Sequence, residues 1–97
     1  MNIRIQATHF TASSQLEEYV NKKVSKLERF YADILNADVV LELVKPETTR
    51  NKKARITLAV KGQDLVAEKQ ADSFEEAVAD CCEALEKQLS KYKEKNK

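Results

Sequence analysis

Hydrophobic positions along this chain recur with two different periods. Residues 2–8 alternate, with Ile3, Ile5 and Ala7 on one side and Arg4, Gln6 and Thr8 on the other. That period of two is the signature of a half-buried strand. From about Ser14 to Tyr31 the period becomes helical, and Leu16, Tyr19, Val20, Val24, Leu27, Phe30 and Tyr31 share one stripe. Ser13 or Ser14 can cap this helix, and Phe10 is expected to pack near its start. The run DVVLELVK, from Asp38 to Lys45, is β-branched and strand-like. After a polar, basic turn, PETTRNKK, residues Ala54, Ile56, Leu58 and Val60 alternate with Arg55, Thr57, Ala59 and Lys61 as a third strand. Gly62 marks a tight hairpin. Residues 65–71 form a fourth strand of weak alternation, with Leu65, Ala67 and Lys69 on one side.

The last quarter, Ser73 to Lys97, reads as one long helix. Ser73 and Glu76 have the spacing of a capping box. Phe74, Val78, Cys81, Cys82, Leu85, Leu89 and Tyr92 fall on one stripe that must be buried. Lys87, Lys91 and Lys95 follow at i, i+4 and i+8 and line up beside that stripe. Acidic residues dominate the first half of this helix and lysines the second, which suits the helix dipole at both ends. By itself, that arrangement needs no partner.

The element order is β-α-β-β-β-α, an α+β domain. Three consecutive strands with short turns make an antiparallel meander. Each helix has one apolar stripe, so the economical packing is a four-stranded sheet with both helices side by side on one face. The other face is left to solvent. Side-by-side helices would bring the basic flank of the first toward the lysines of the second.

The chain has 97 residues, which suits a single domain over 1–97, and one Gly and one Pro leave no room for a flexible linker. No apolar run approaches the ~20 residues that span a bilayer, and MNIRIQATHF lacks a signal-peptide core, so cytoplasmic residence is expected. The two cysteines, Cys81 and Cys82, are adjacent in a helix and point about 100° apart, which disfavours a bridge. They read as small core residues.

Net charge is +1, but the sum hides a segregated distribution. Lys22, Lys23, Lys26 and Arg29 crowd the first helix, with Lys22, Lys26 and Arg29 on one flank and Glu17 and Glu28 on the other. Lys23 sits at the stripe edge, where its stem can lie on apolar surface. Lys45, Arg50, Lys52, Lys53 and Arg55 surround Glu47, whereas from Asp64 to Glu86 Lys69 is the only cation. Sorting charge by side points to a charged partner.

No Gly-rich phosphate loop, HExxH, GxSxG or Cys/His cluster is present, so no enzyme, metal, cofactor or small-molecule substrate is nominated. His9, the only histidine, reads as a loop residue. Lysines grip phosphate as point charges, and their contacts carry no sequence information. With three Tyr, three Phe and no Trp, structured RNA fits better than single-stranded readout. Tyr92 is the aromatic with a choice between core and base stacking, and the core is the expected place.

The tail from Leu85, L-E-K-Q-L-S-K-Y-K-E-K, resembles the C-terminal helix of the ribosome hibernation promoting factors and related ribosome-associated inhibitors. Their signature there runs like K-L-x-R-Q-L-x-K-H-K-x-K. The stretches EEYVNKKVSKLERFY and DVVLELVK also look like that family's. The resemblance implies a β-α-β-β-β-α fold similar to double-stranded-RNA-binding folds. It also implies binding to the small ribosomal subunit between head and body, in the mRNA/tRNA channel, to stop translation under starvation. Carried onto this chain, it makes Lys22, Lys23 and Lys26 the basic positions of the first helix. Lys87, Lys91, Lys93 and Lys95 become those of the last, and Gln88 and Leu89 match its Q-L pair. Arg29 completes the expected RNA-binding set. Ala84, Glu75, Ala79 and Tyr92 depart from the residues frequent at their positions, which moves weight to Lys87 onward. The chain is expected to behave as a short form or as the N-terminal domain of a longer protein. A protein-docking module using the open sheet face or the acidic segment 64–86, and a generic double-stranded-RNA binder, are the alternatives.

Overall fold

Two parallel strands cannot be joined by a tight turn, and this chain spends its first helix on that problem. In the computed structural model, which describes residues 1–44 and 49–95, strand β1 (Asn2–Thr8) pairs in parallel with β2 (Asn36–Leu43). Ile3, Ile5 and Ala7 stand beside Ala37, Val39 and Leu41. Between them run helix α1 (Ser14–Ser25) and a 3₁₀ turn, Lys26–Arg29. Antiparallel pairing then adds β3 (Lys52–Val60) and β4 (Gln63–Ala71), giving the order β1-β2-β3-β4. Val60 opposes Gln63 across a two-residue turn, and Gly62 there takes a φ of 90°, a region that suits a residue without Cβ. Helix α2 (Phe74–Lys95) closes the domain. Lys45, which ends the expected second strand, and Pro46, Glu47 and Thr48 of the expected basic turn lie outside the described residues, as does the side chain of Lys95.

Both helices are capped as their sequences require. The Ser13 hydroxyl accepts the Leu16 N–H at 3.1 Å, and the Ser73 hydroxyl accepts the Glu76 N–H at 3.1 Å. Phe10 and Phe74, at the two helix starts, stack with ring centroids 4.4 Å apart. The Tyr19 hydroxyl, midway along α1, donates to the carbonyl of Glu75, early in α2. Past the other end of α1, Tyr31 meets Tyr92 edge-on at 5.2 Å. The helices therefore run parallel, start beside start and end beside end.

Both cover the same sheet face. Leu16, Val20, Val24 and Leu27 from the first helical stretch meet Val78, Cys81, Leu85 and Leu89 from α2 over Val39, Leu41, Ile56 and Leu58, all buried. Cys81 and Cys82 lie in this core as free thiols. Burial pushes them up to about 12 and about 11, helped by the Coulombic influence of Cys82 on Cys81 and of Glu86 on Cys82. The other sheet face carries Arg4, Gln6, Asp38, Arg55 and Glu68, all exposed. Its Lys53–Glu68 ion pair, 3.5 Å long and open to solvent, adds little.

The first helix departs from the period-3.6 expectation in one place. The α-helix stops at Ser25 and does not run on to Tyr31. The Ser25 hydroxyl bonds back to the carbonyls of Asn21 (2.6 Å) and Lys22 (3.2 Å), and the chain tightens beyond it. The N–H groups of Phe30 and Tyr31 both reach the Leu27 carbonyl, at 3.0 and 3.3 Å. Tyr31 then packs against Tyr92, and Phe30, expected on the buried stripe, is 40% exposed. His9 sits in the loop after β1 with φ of 69°, in the left-handed region.

Candidate nucleic-acid interface

The parallel helices leave a groove between them, and the groove is where cations from both come together. About 670 Å³ in volume, it is lined by Lys23 and Lys26 from the first helical stretch and Lys87 from α2. Ala79 and Cys82 also line it, together with Glu83 and Glu86. Two carboxylates therefore stand in the same wall, and the surface is less uniformly basic than the lysine spacing implied. Lys23 is half-buried, and its ammonium lies 5.7 Å from the centroid of the Tyr19 ring. Partial burial is what a lysine at the stripe edge is expected to show. Glu28 points the other way, toward β1, with a carboxylate oxygen 3.7 Å from the N-terminal ammonium. Lys22 and Arg29 are exposed on the same stretch.

On α2 the lysines part company. Lys87 is on the crest, because it lines both the interhelix groove and a second groove on the other flank. That second groove, about 440 Å³, is bounded by Arg50, Lys69 and Gln70 on the β4 side, and by Asp80, Glu83, Ala84 and Lys87 on α2. Seven residues return a helix to nearly the same face. Lys91, seven after Ala84, thus belongs to the β4 flank, and Lys93, seven after Glu86, belongs to the α1 flank. Both are exposed. The lysine ladder does not merge whole with the first helix. It meets that helix at Lys87 and then drifts toward the sheet edge. Lys95 ends the helix, with its side chain outside the described residues.

Among the described side chains, ion pairs within 4.0 Å join Lys53 to Glu68 and the N-terminus to Glu28, and involve none of Lys22, Lys23, Lys26, Arg29, Lys87, Lys91 and Lys93. No group of three or more His, Cys, Asp or Glu among the described residues is placed to hold a metal ion. Among the described residues, no helix is long and apolar enough to cross a membrane.

Two residues adjoining the interface fix its geometry. Gln88 donates through Nε2 to the Val66 carbonyl at 2.9 Å, latching α2 to the free edge of β4. Tyr92 is buried in the core, and its hydroxyl donates to the Lys61 carbonyl at 2.5 Å. Arg50 and Lys69 were not among the expected contact residues. Arg50 takes φ of 53°, its N–H reaches an Asp72 carboxylate oxygen at 2.8 Å and its guanidinium the Gln70 carbonyl at 2.9 Å. The alternation of β4 already placed Lys69 on the helix side, whereas nothing local in the sequence signalled the position of Arg50.

Comparison with known proteins agrees with this architecture. The N-terminal domain of Protein Y of Thermus thermophilus superposes with a TM-score of 0.81 at 25% identity, covering 95% of this chain and 99% of that one. A ribosomal subunit interface protein from Coxiella burnetii gives a TM-score of 0.86 at 25% identity, covering 96% and 98%. Ribosome hibernation promoting factors of Azotobacter vinelandii and Pseudomonas putida are 30% and 27% identical over 98% of this chain, which spans 85% and 89% of their lengths. The ribosome hibernation promotion factor of Staphylococcus aureus is 29% identical over 96% of this chain, which spans only 48% of that relative. The family described as sigma 54 modulation protein / S30EA ribosomal protein matches residues 3–97, and this chain belongs to it.

Proposed function

We propose that this protein is a ribosome hibernation factor that acts by occupancy and not as an enzyme. It binds the small ribosomal subunit in the mRNA/tRNA channel, and its basic helix faces grip ribosomal RNA phosphates. Membership of the S30EA family supports the ribosomal part of this reading. The observation that carries the rest is the interhelix groove, where Lys23, Lys26 and Lys87 from two helices share one concavity. Lys22 and Arg29 flank it on one helix, and Lys91, Lys93 and Lys95 continue the cationic end of the other. Phosphates of folded RNA neutralise such a set cumulatively, with release of counterions at each contact.

Competition on the ribosome tests this. The protein is co-sedimented with empty small subunits and with subunits preloaded with mRNA and tRNA. Binding to the empty particle and exclusion from the loaded one is the expected result. Equal binding to both would place the protein outside the channel and overturn the reading.

A further inference from the structure

The molecule uses nearly all of its aromatic rings to hold itself together. Phe10 stacks on Phe74, and Tyr31 packs edge-on against Tyr92. Tyr19 lies under the Lys23 ammonium and bonds to the Glu75 carbonyl. Phe30, the sixth aromatic, is the exception among the described residues: it has no ring or cation contact and is 40% exposed. A lone exposed apolar side chain is ordinary. Its surroundings here are not. The exposed cations Arg29 and Lys26 precede it by one and four residues, and Lys26 lines the interhelix groove. The Tyr31–Tyr92 contact brings the last turns of α2, with exposed Lys93 on their α1 flank, to the same end of the groove.

We propose that Phe30 is a stacking platform for one unpaired base of the bound RNA, at the end of the phosphate track formed by Lys23, Lys26 and Lys87. This rests on the ribosomal-RNA reading above and adds a base contact to it. An aromatic face flanked by cations takes a base on the ring while the charges hold its phosphates, and such stacking tolerates any base. A protein surface would use the apolar face equally well, but it would have no need of the surrounding cations.

The natural chain lacks Trp, so Phe30→Trp installs a single fluorophore at the site. Small-subunit binding is measured for wild type, Phe30→Ala, Phe30→Leu and Phe30→Tyr across a salt series. Emission of Phe30→Trp is followed on binding, with Val66→Trp on the open sheet face as control. Phe30→Ala and Phe30→Leu are expected to lose about 5- to 150-fold in affinity, the range for one stacked base. Phe30→Tyr should bind like wild type. The salt dependence should be unchanged in all of them, because a neutral ring displaces no counterion. Emission from position 30 should be quenched and that from position 66 should not. Wild-type affinity of Phe30→Ala, alongside weakened binding by Lys23/Lys26/Lys87→Ala, overturns the base contact and leaves the phosphate reading standing. Full affinity of Phe30→Leu with no quenching means an apolar protein contact and overturns it too. Failure of wild type to bind small subunits removes both readings.

Discussion

Replacing Tyr92 separates the two ways in which α2 is fastened at its lysine-rich end. The ring is buried against the core and meets Tyr31 at 5.2 Å, and the hydroxyl reaches the Lys61 carbonyl at 2.5 Å. Tyr92→Phe removes only the hydroxyl. Lys61 is exposed, so water can satisfy the freed carbonyl, and the cost falls near the low end for a hydrogen bond, about 0.5–1 kcal/mol. Tyr92→Ala removes the ring as well and leaves a void between α2 and Tyr31, which costs about 3–5 kcal/mol. With a urea m-value of about 1.5 kcal/mol per M, the unfolding midpoint drops by roughly 2–3 M for Ala and by less than about 1 M for Phe. A double-mutant cycle of Tyr92→Phe with Tyr31→Phe reports the hydrogen bond between the two hydroxyls, and one of Tyr92→Ala with Tyr31→Ala should return about 0.5–1.5 kcal/mol for the ring pair on top of it. If Tyr92→Phe costs as much as Tyr92→Ala, the ring does not anchor the helix. A coupling near zero would likewise refute the description of that helix end.

Two further perturbations follow from the same core. The Cys81 and Cys82 thiols, pushed from 9.0 to about 12 and about 11 mainly by burial, stay protonated in the fold at pH values where the unfolded chain ionises. The folded state then holds more protons, so their contribution is whole below about pH 9 and declines as pH rises from there toward 11 and 12. Urea melts at pH 8 and pH 10 should show a smaller alkaline loss for Cys81→Ala/Cys82→Ala than for wild type, and an equal loss would contradict the buried-thiol account. Gln88→Ala unlatches α2 from the Val66 carbonyl and should cost about 0.5–1.5 kcal/mol in urea unfolding, a value near zero meaning that the latch is not made in solution.

Much of the architecture was legible in local pattern because local physics decides it. The alternation at Ile3, Ile5 and Ala7, the caps at Ser13 and Ser73, and the stripe from Phe74 to Tyr92 each name their own element and buried face. What local pattern could not carry was relative placement. Parallel alignment of the helices depends on contacts such as Tyr19 with Glu75 and Tyr31 with Tyr92, separated by up to 61 residues of chain. The helix period also misplaced Phe30, because the Ser25 hydroxyl draws on backbone carbonyls one turn back and the α-helix yields to a 3₁₀ turn. Likewise, the i, i+4 spacing of Lys87 and Lys91 showed that they neighbour each other but not which flank of α2 each would serve. Arg50 and Lys69 share a groove with Lys87 only because the sheet edge folds against α2.

In the proposed function the helix side of the molecule, and not the open sheet face, meets RNA phosphate. Two variants that remove the same charge test this directly: Lys23/Lys26/Lys87→Ala in the groove, and Arg4/Lys53/Arg55→Ala on the sheet. For each, small-subunit affinity is measured against salt. The groove variant should bind more weakly and flatten the log–log slope by about 2–3, near 0.7–0.9 for each of three lost phosphate contacts, while the sheet variant keeps the wild-type slope. A flattened slope in the sheet variant, with the groove variant unchanged, would contradict the account.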